Sequence, residues 1–342
     1  MYIIQCVKSH CQMTARCVII NNMVGLIHEY RGGVLENIHP GRICIVGDSG
    51  KLVCSIGDAY APTYFRSTSK PLQALPVIIH GLDSKYELSG KELAIIASSH
   101  SGEPAHLEVI LGLLEKTGFS EDDLIMLPVG NPPRKALHNC SGKHIGAMML
   151  EKFLTGDHKG YWKPDSAAQK EITSMISYMT SLPAENIAIG VDGCGVPVFA
   201  VPQVNIAMAY LLLACPDMIG NAETREAARM IVYHMNDNPL MIGGTGSLCC
   251  LLNGDKNIVA KSGAQGVYAL GLKKERLGIS IKNEDGDEKS MPITVAEILR
   301  QLDYDNADTI AGLEGLAPST VFNDNGIPVG SKTAVFSLSR PV

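Results

Sequence analysis

The sequence predicts an α+β protein, in which an antiparallel sheet is flanked by helices and joined to a largely helical region. Short β-rich runs with turn signals occur near both ends of the chain, and amphipathic helical patterns fill the region between them. The order lacks the regular strand–helix alternation of a parallel sheet. We therefore expect the sheet to take its strands from both ends of the chain and the helical region to span roughly residues 60–240.

The first strands are predicted in "GRICIVGDSGKLVCSIGD" (residues 41–58), where two β-rich runs surround the turn sequence GDSG. This arrangement is typical of a β-hairpin. Near the other end, "SLCCLLNGDKNIVAKSG" contains Asn253-Gly254, and we interpret it as a second hairpin whose first strand covers Leu248 to Leu252. The run "RLGISIKNEDGD" predicts a further strand that leads into a turn.

The helices are predicted from their end signals and their apolar spacing. A helical pattern covers about residues 70–82, and Ser89 and Glu92 have the spacing of a capping box ahead of the next helix. "EPAHLEVILGLLEKTGF" has Pro104 in its first turn and Gly118 as its C-cap. Further helices are predicted in "GKHIGAMMLEKFL", "DSAAQKEITSMISYMTSL" and "NAETREAARMIVYHM", whereas "IAIGVDGCGVPVFAVP" has strand and turn character.

Composition and charge exclude two classes of partner. The net charge is −6, with 29 basic and 35 acidic residues, no long run of either sign, and 5% aromatic residues, so no nucleic-acid partner is expected. The nearest approach to a membrane span, "VNIAMAYLLLACP", is shorter than the roughly 18 apolar residues that a span needs, and it predicts a buried helix. No membrane association is therefore expected.

The N-terminus predicts a cytoplasmic protein with a short extension. It lacks a basic start followed by an apolar block and a small-residue cleavage site. Ten cysteines without a C-x-x-C motif fit reduced thiols. Three of them fall within the first 17 residues, which show no periodicity. We expect residues 1–22 to be a loosely ordered extension and residues 23–342 to form a single domain.

The stretch "YFRSTSKPLQALP" carries the first candidate active-site residues. Ser67 and Lys70 are three positions apart, so in a helical turn they lie on one face. A serine hydroxyl needs an adjacent base, and a lysine can serve if burial or a second cation lowers its pKa. Arg66 is a candidate for that cation or for binding a substrate carboxylate. The alternative interpretation is a capped, solvated start of a helix.

Two further regions carry polar groups. In "ASSHSGEPAH", Ser99 and His100 could lie at the mouth of a cleft, or Ser101 could simply cap the next helix. "LHNCSGKHIGAMM" and "GVDGCGVPVF" place Cys140 and Cys194 in separate segments. Their thiolates could bind zinc together with an oxygen or nitrogen ligand. Buried, inert cysteines are the alternative.

The motifs "RSTSKPLQALP", "SSHSGEPAH", "HNCSGKHIGAM", "DGCGVP", "GGTGS" and "KSGAQGV", in this order, resemble the asparaginase II family of the rhizobial type. The resemblance runs from about Val24 to about Gly286. It implies a fold like that of serine β-lactamases and glutaminases, a homodimer, and hydrolysis of L-asparagine to L-aspartate and ammonia.

The resemblance also implies a set of site residues. Ser67 with Lys70 and Ser99 with Lys282 would form two serine–lysine pairs. Lys261, Lys273 and Lys274 lie nearby in the sequence and are alternatives to Lys282 as the second lysine. We favour Ser67 as the nucleophile. The family's zinc would be held by Cys140, Lys143 and Cys194, and the substrate would be bound by Arg66 through its α-carboxylate, by Asp192 through its α-ammonium, and by His100.

Three other functions compete with this interpretation. A glutaminase differs by one methylene in the substrate, which a pocket distinguishes by only ~1–3 kcal/mol. Another acyl-serine enzyme of the β-lactamase group would need a Ser-Asp-Asn motif and a late Lys-Thr-Gly, and neither is found at the required place. A non-catalytic zinc-binding or thiol protein would use Cys140 and Cys194 but not Ser67.

Overall fold

The structure is a computed structural model that describes residues 23–338. The predicted extension over residues 1–22 lies outside the described residues. The strands are β1 (Val24–Arg31), β2 (Val34–Gly47), β3 (Leu52–Ile56), β4 (Pro62–Tyr64), β5 (Ala188–Val191), β6 (Pro197–Pro202), β7 (Ile258–Gly263), β8 (Val267–Leu272), β9 (Leu277–Asn283), β10 (Thr320–Phe322) and β11 (Pro328–Ala334). The helices are α1 (Lys70–Ile79), α2 (Leu82–Lys85), α3 (Gly90–Ile96), α4 (Pro104–Thr117), α5 (Ser141–Thr155), α6 (Ala167–Thr180), α7 (Gln203–Ala214), α8 (Ala222–Asp237), α9 (Leu240–Gly243), α10 (Leu248–Gly254), α11 (Met291–Gln301) and α12 (Ala307–Leu316).

The large sheet is antiparallel and joins both ends of the described chain. Its strand order is β10-β11-β1-β2-β9-β8-β7, and β3 pairs with β2 beside this path. β2 pairs with β1 and then, through its second half, with β3 and β9. Most of the helices come from the chain between β4 and β7. The predicted α+β class, with an antiparallel sheet and helices packed on it, is confirmed.

A small second sheet positions two of the predicted site segments. Its order is β4-β6-β5, and both outer strands are antiparallel to β6. β4 and β5 therefore run in the same direction, and their carboxyl ends lie at the same edge of this sheet. The turn with Ser67 follows β4 and the loop with Asp192 follows β5, so the sheet brings these two segments together.

Local predictions are largely confirmed. β2 and β3 form the expected hairpin, with Val46 opposite Leu52. The capping box of Ser89 and Glu92 is present at α3, and Gly118 ends α4 in the left-handed conformation, with φ of 70°. The apolar run that was too short for a membrane span is the buried helix α7. Within residues 23–338, no helix has both the length and the apolar character needed to cross a membrane.

The predicted strand over Leu248 to Leu252 is wrong, because this segment is helix α10. The Ser247 side chain accepts a hydrogen bond from the backbone N–H of Cys250 and so caps the helix. The Asn253 side chain donates to the carbonyls of Cys249 and Ala260 and ties the end of the helix to β7. The Asn-Gly pair that suggested a hairpin turn is thus the last turn of a helix.

Candidate active site

The turn between β4 and α1 contains three side-chain hydroxyls, and one of them forms no hydrogen bond among the described residues. Residues Arg66–Ser69 form a 3-10 turn, and Arg66 has a φ of 49°, which is uncommon for a residue with a side chain. Thr68 and Ser69 donate their hydroxyl hydrogens to backbone carbonyls of the same turn. Ser67 is half-buried, and its hydroxyl forms no hydrogen bond among residues 23–338; the Lys70 ammonium contacts other groups. The Ser67 hydroxyl is the one available for chemistry.

Lys70 begins α1 and is fully buried. Its ammonium donates to Ser99 Oγ at 2.9 Å, to the carbonyl of Ser98 at 2.6 Å and to the carbonyl of Asn139 at 3.0 Å. Burial lowers the pKa of Lys70 to about 8, and the positive charges of neighbouring lysines act in the same direction. The structure therefore places a lysine that can lose its proton near neutral pH against the second predicted serine.

Lys282 does not contact Ser99, its predicted partner. Its ammonium, on β9, donates to the carbonyls of Gln265 and Asn283. Lys261, on β7, is fully buried, and its charge is close enough to lower the pKa of Lys70. The order of the strands explains why Lys261 and not Lys282 lies near Lys70. β9 is held between β2 and β8, whereas β7 is the outermost strand.

The free edge of β7 lies beside the Ser67 turn. At Gly263 an added Cβ would be only 2.8 Å from the carbonyl oxygen of Phe65 and 3.2 Å from Arg66 Cβ. The Lys261 ammonium donates to the carbonyl of Ser262, and burial lowers the pKa of Lys261. A sequence signal for this residue exists. Lys261-Ser262-Gly263 is a late Lys-Ser-Gly triplet, a serine form of the Lys-Thr-Gly motif of β-lactamases.

A small cavity adjoins these groups. Its volume is about 210 Å³, and the lining residues are Ser99, Gly243, Ser247, Leu248, Cys249, Ser262, Gly263, Val267, Tyr268, Glu288 and Met291. Drug-sized ligands need roughly 300 Å³ or more. The cavity therefore suits a smaller molecule, held against the Ser99 hydroxyl that contacts Lys70.

Arg66 and Asp192 form an ion pair beside the turn. The Asp192 Oδ1 atom accepts a hydrogen bond from Arg66 Nε at 3.1 Å and lies 2.9 Å from Arg66 Nη2. It also accepts from the backbone N–H of Gly193. The two residues predicted to bind opposite ends of the substrate are thus in contact. The guanidinium has five N–H donors, so some remain for a ligand.

His100 does not lie at the mouth of the cavity, where the sequence placed it. Its side chain is 1% exposed. Its Nδ1 accepts from the backbone N–H of Gly102, so its Nε2 carries the proton and donates to Ser141 Oγ. Burial, followed by the nearby charge of His106, lowers the pKa of His100 to about 3. A neutral, internally bonded ring cannot take part in substrate binding, and we withdraw that assignment.

Cys140, Lys143 and Cys194 come together as the resemblance implies. All three are buried, and the Lys143 ammonium lies 3.1 Å from Cys194 Sγ. The hydrogen bond from Cys194 holds the pKa of the Cys140 thiol well below its ordinary value, and the ammonium groups of Lys70 and Lys143 act in the same direction. The hydrogen bond to Cys140 and burial raise the pKa of Cys194. Burial alone would lower the pKa of Lys143, but the charges of Cys140 and Cys194 outweigh it and raise that pKa.

These three donors fit a zinc ion. Thiolates are ligands that zinc prefers, and the site already favours ionisation of one thiol; Lys143 would supply a nitrogen donor after losing its proton. Among residues 23–338, no cluster of three histidine, cysteine, aspartate or glutamate side chains is arranged for a metal. The candidate site depends on Lys143 as its third donor.

Several solved structures share part of the chain trace at low sequence identity. Mglu in its glutamate form is 16% identical, with a TM-score of 0.47, and the match covers 77% of this chain and 60% of that chain. This chain thus spans less than two thirds of the length of Mglu. A Bacillus glutaminase is 14% identical, with a TM-score of 0.39 and coverage of 77% and 91%. A candidate beta-lactamase from Bacteroides dorei is 12% identical, with a TM-score of 0.42 and coverage of 76% and 93%.

One sequence comparison identifies the family of this chain. No curated protein matches the chain in sequence. The family model described as L-asparaginase II matches residues 27–334, which is most of the chain and includes every motif on which the resemblance was based. The chain belongs to the L-asparaginase II family.

Proposed function

We propose that this protein hydrolyses L-asparagine to L-aspartate and ammonia through an aspartyl ester on a serine. Membership in the L-asparaginase II family implies amide hydrolysis. The observation that carries the serine–lysine mechanism is the contact between the buried Lys70 amine and Ser99 Oγ, 2.9 Å apart, at a small cavity. The uncommitted hydroxyl of Ser67, on the same turn as Lys70, is the proposed nucleophile.

In the first half of the reaction, Ser67 Oγ attacks the carbon of the side-chain amide while the neutral amine of Lys70 takes the hydroxyl proton. Collapse of the tetrahedral intermediate breaks the C–N bond. The proton passes from Lys70 through Ser99 to the nitrogen, so that ammonia leaves. In the second half, water attacks the ester and gives a proton to Lys70, which returns it to Ser67 as the acyl–oxygen bond breaks.

Lys261 favours the form of Lys70 that this mechanism needs. Two buried ammonium groups repel each other, and the charge of Lys261 lowers the pKa of Lys70. Lys261 replaces Lys282 as the proposed second lysine. It is buried beside Ser262 and at the strand edge that faces the Ser67 turn.

A zinc ion is a further part of the proposal, held by Cys140, Lys143 and Cys194. When bound, such an ion supplies a Lewis acid and a fixed positive charge near the substrate. Lys143 must lose its proton to bind it. The backbone links this site to the catalytic lysine, because the carbonyl of Asn139, directly before Cys140, accepts from Lys70.

The test is ammonia release from L-asparagine and L-glutamine by the wild-type protein, Ser67→Ala, Ser99→Ala and the control Ser84→Ala, an exposed serine outside the site. We expect Ser67→Ala to lose turnover by about 10³-fold or more, and Ser84→Ala to match the wild type. Peptide mapping by mass spectrometry of protein quenched during turnover locates the ester. An ester on Ser99 would transfer the nucleophile role to that residue, and a folded, zinc-supplied wild type that hydrolyses neither amide would refute the function.

Three properties remain predictions. The preference for asparagine over glutamine is decided by the parallel assay above. A homodimer is predicted from the family resemblance, and a cytoplasmic location is proposed because the ten cysteines fit reduced thiols.

A further inference from the structure

Glu288 carries the only charged side chain among the residues that line the cavity at Ser99. It lies in the segment between β9 and α11. The backbone N–H of Gln265 donates to its Oε1 at 3.1 Å, which fixes one carboxylate oxygen and leaves the other for a ligand. Among residues 23–338, Glu288 forms no salt bridge, in contrast to Asp192, whose charge is matched by Arg66.

The lining of the cavity carries a negative charge, whereas Arg66 lies outside the lining. Gly263 lines one side, and an added Cβ at Gly263 would be 3.2 Å from Arg66 Cβ. Glu288 provides the negative charge on the lining. A free amino acid is a zwitterion, and this lining offers an anion for its ammonium.

Glu288 also lies at the boundary between the cavity and a neighbouring groove. A groove of about 450 Å³ adjoins the cavity and shares Leu248 and Glu288 with it. Lys289 and Lys332 also line this groove; Lys332 is paired with Glu29, and the charge of Lys289 attracts a carboxylate. A zwitterion that enters from the groove reaches Glu288 at the boundary between the groove and the cavity.

We propose that Glu288 binds the α-ammonium of the substrate and so makes the site favour amides that carry a free α-amino group. This inference rests on the proposed function, in which the cavity at Ser99 holds the substrate. It assigns to Glu288 the role that the sequence gave to Asp192. Asp192 then orients the Arg66 guanidinium, which it contacts through Oδ1.

Turnover of two amides tests the assignment. L-Asparagine and succinamic acid differ only by the α-amino group. Glu288→Gln keeps the oxygen that accepts from Gln265 but removes the charge, so we expect kcat/KM for asparagine to fall by ~10-fold or more, while kcat/KM for succinamic acid changes less than about twofold. Glu185→Gln, the same charge change at an exposed residue outside the cavity, should alter neither value. Equal losses on both amides, or no loss on asparagine, would overturn the inference.

Calorimetry separates this inference from the proposed function, because it needs no turnover. We expect wild-type protein to bind L-aspartate ~10-fold or more tightly than succinate, and Glu288→Gln to lose that preference while retaining the wild-type circular dichroism spectrum. If the wild type hydrolysed no amide but kept the preference, the ammonium site would stand and the proposed reaction would fail. No preference for aspartate in the wild type, or an unchanged preference in Glu288→Gln, would refute the site.

Discussion

Burial determines the charge of the proposed base, Lys70. A lysine in water has a pKa of about 10.4 and is fully protonated at neutral pH. The Lys70 side chain is excluded from solvent, its neighbours within bonding distance are two carbonyl oxygens and a hydroxyl, and its pKa is lowered to about 8. The lowered value makes a neutral amine accessible near physiological pH, which is the condition for a lysine to act as a base.

The pH dependence of activity follows from this value. Below about pH 8 the Lys70 amine is protonated and cannot accept the serine proton; above that pH it is neutral. We expect kcat/KM for succinamic acid, which has no α-amino group to titrate, to rise about tenfold per pH unit up to a midpoint near 8 and then to level off. A steady-state ammonia assay from pH 5.5 to 9.5 measures the profile. A profile that is flat across pH 7–9 would contradict the role of Lys70.

The same residue should also affect stability. The folded pKa is below that of the unfolded chain, so the unfolded state binds more protons between about pH 8 and 10.5. The contribution of Lys70 to the free energy of unfolding is therefore unfavourable below about pH 8 and improves as the pH rises through this window. Lys70→Met, compared with wild type by urea unfolding at pH 7 and pH 9.5, should gain less stability on going to the higher pH.

Site residues that lie in short contiguous motifs could be identified from the sequence. Site residues whose position is set by the order of the strands could not. Short motifs identified Lys70, Ser99 and the two cysteines, and the structure places Lys70 against Ser99 and Cys140 against Cys194. Lys282 and Lys261 are both lysines on late strands, and only the sheet order places Lys261 at the edge beside the Ser67 turn. The burial of His100 likewise depends on Ser141, 41 residues away.

At the scale of elements, two paired glycines let helix α7 lie directly on the large sheet. Gly271 on β8 and Gly278 on β9 are opposite each other in the ladder. An added Cβ at Gly271 would come within 2.3 Å of the Tyr210 carbonyl oxygen, and one at Gly278 within 2.0 Å of the Ala207 carbonyl oxygen. The helix backbone thus occupies the space of two missing side chains, and its close approach requires glycine at both positions.

Gly278→Ala should therefore destabilise the protein strongly. The new methyl group meets helix backbone, which cannot move as a flexible side chain can, so we expect a loss of ~1–3 kcal/mol or more in the free energy of unfolding, measured by urea denaturation. The control is Gly315→Ala in helix α12, where an added Cβ meets nothing within 4 Å. Because alanine favours a helix over glycine, the control should be neutral or slightly stabilising. A loss of similar size in both variants would contradict the packing argument.

The wrongly predicted strand in α10 shows where local signals fail. Asn253-Gly254 is a strong hairpin signal, and the apolar residues before it fit a short strand as well as a helix. Two contacts favour the helix. One is the Ser247 cap, which is a weak signal in the sequence, and the other is the hydrogen bond from the Asn253 side chain to the carbonyl of Ala260, which lies outside the helix. By contrast, the helix α4 has an end signal at each terminus and was predicted to within a residue.

The whole molecule unites segments that are far apart in the chain. The large sheet pairs β1 with β11, whose residues Ile27 and Ala334 are near opposite ends of the described chain. This arrangement was predictable, because β-rich runs occur at both ends of the sequence. Membership in the L-asparaginase II family likewise confirms the predicted family and enzyme class. The small sheet was not predicted, since β4 has only three residues and its pairing with β6 leaves no periodic signal.

The proposed zinc site joins two of these distant segments, so its metal should stabilise the whole fold. Cys140 and Lys143 lie at the start of α5, and Cys194 lies in the loop after β5, held through Lys143 in the present geometry. An ion that binds only the folded chain stabilises it by about 2.7 kcal/mol at a hundredfold excess over its Kd. We therefore expect about one zinc per chain by mass spectrometry of the metal, and a fall of a few degrees in Tm after chelation.

Cys194→Ser, with Cys54→Ser as its control, tests this expectation. Both cysteines are 5% exposed, so the two variants share the cost of a buried hydroxyl, but Cys54 is on β3, away from the site. Cys194→Ser should lose the metal and the response of its Tm to chelator, whereas Cys54→Ser should retain both. If chelation lowered the Tm of all three proteins equally, or if Cys194→Ser kept a full equivalent of zinc, the metal would not be bound by these residues. Because Lys70 donates to the carbonyl directly before Cys140, the same titration followed by ammonia release shows whether loss of the metal also disturbs the base.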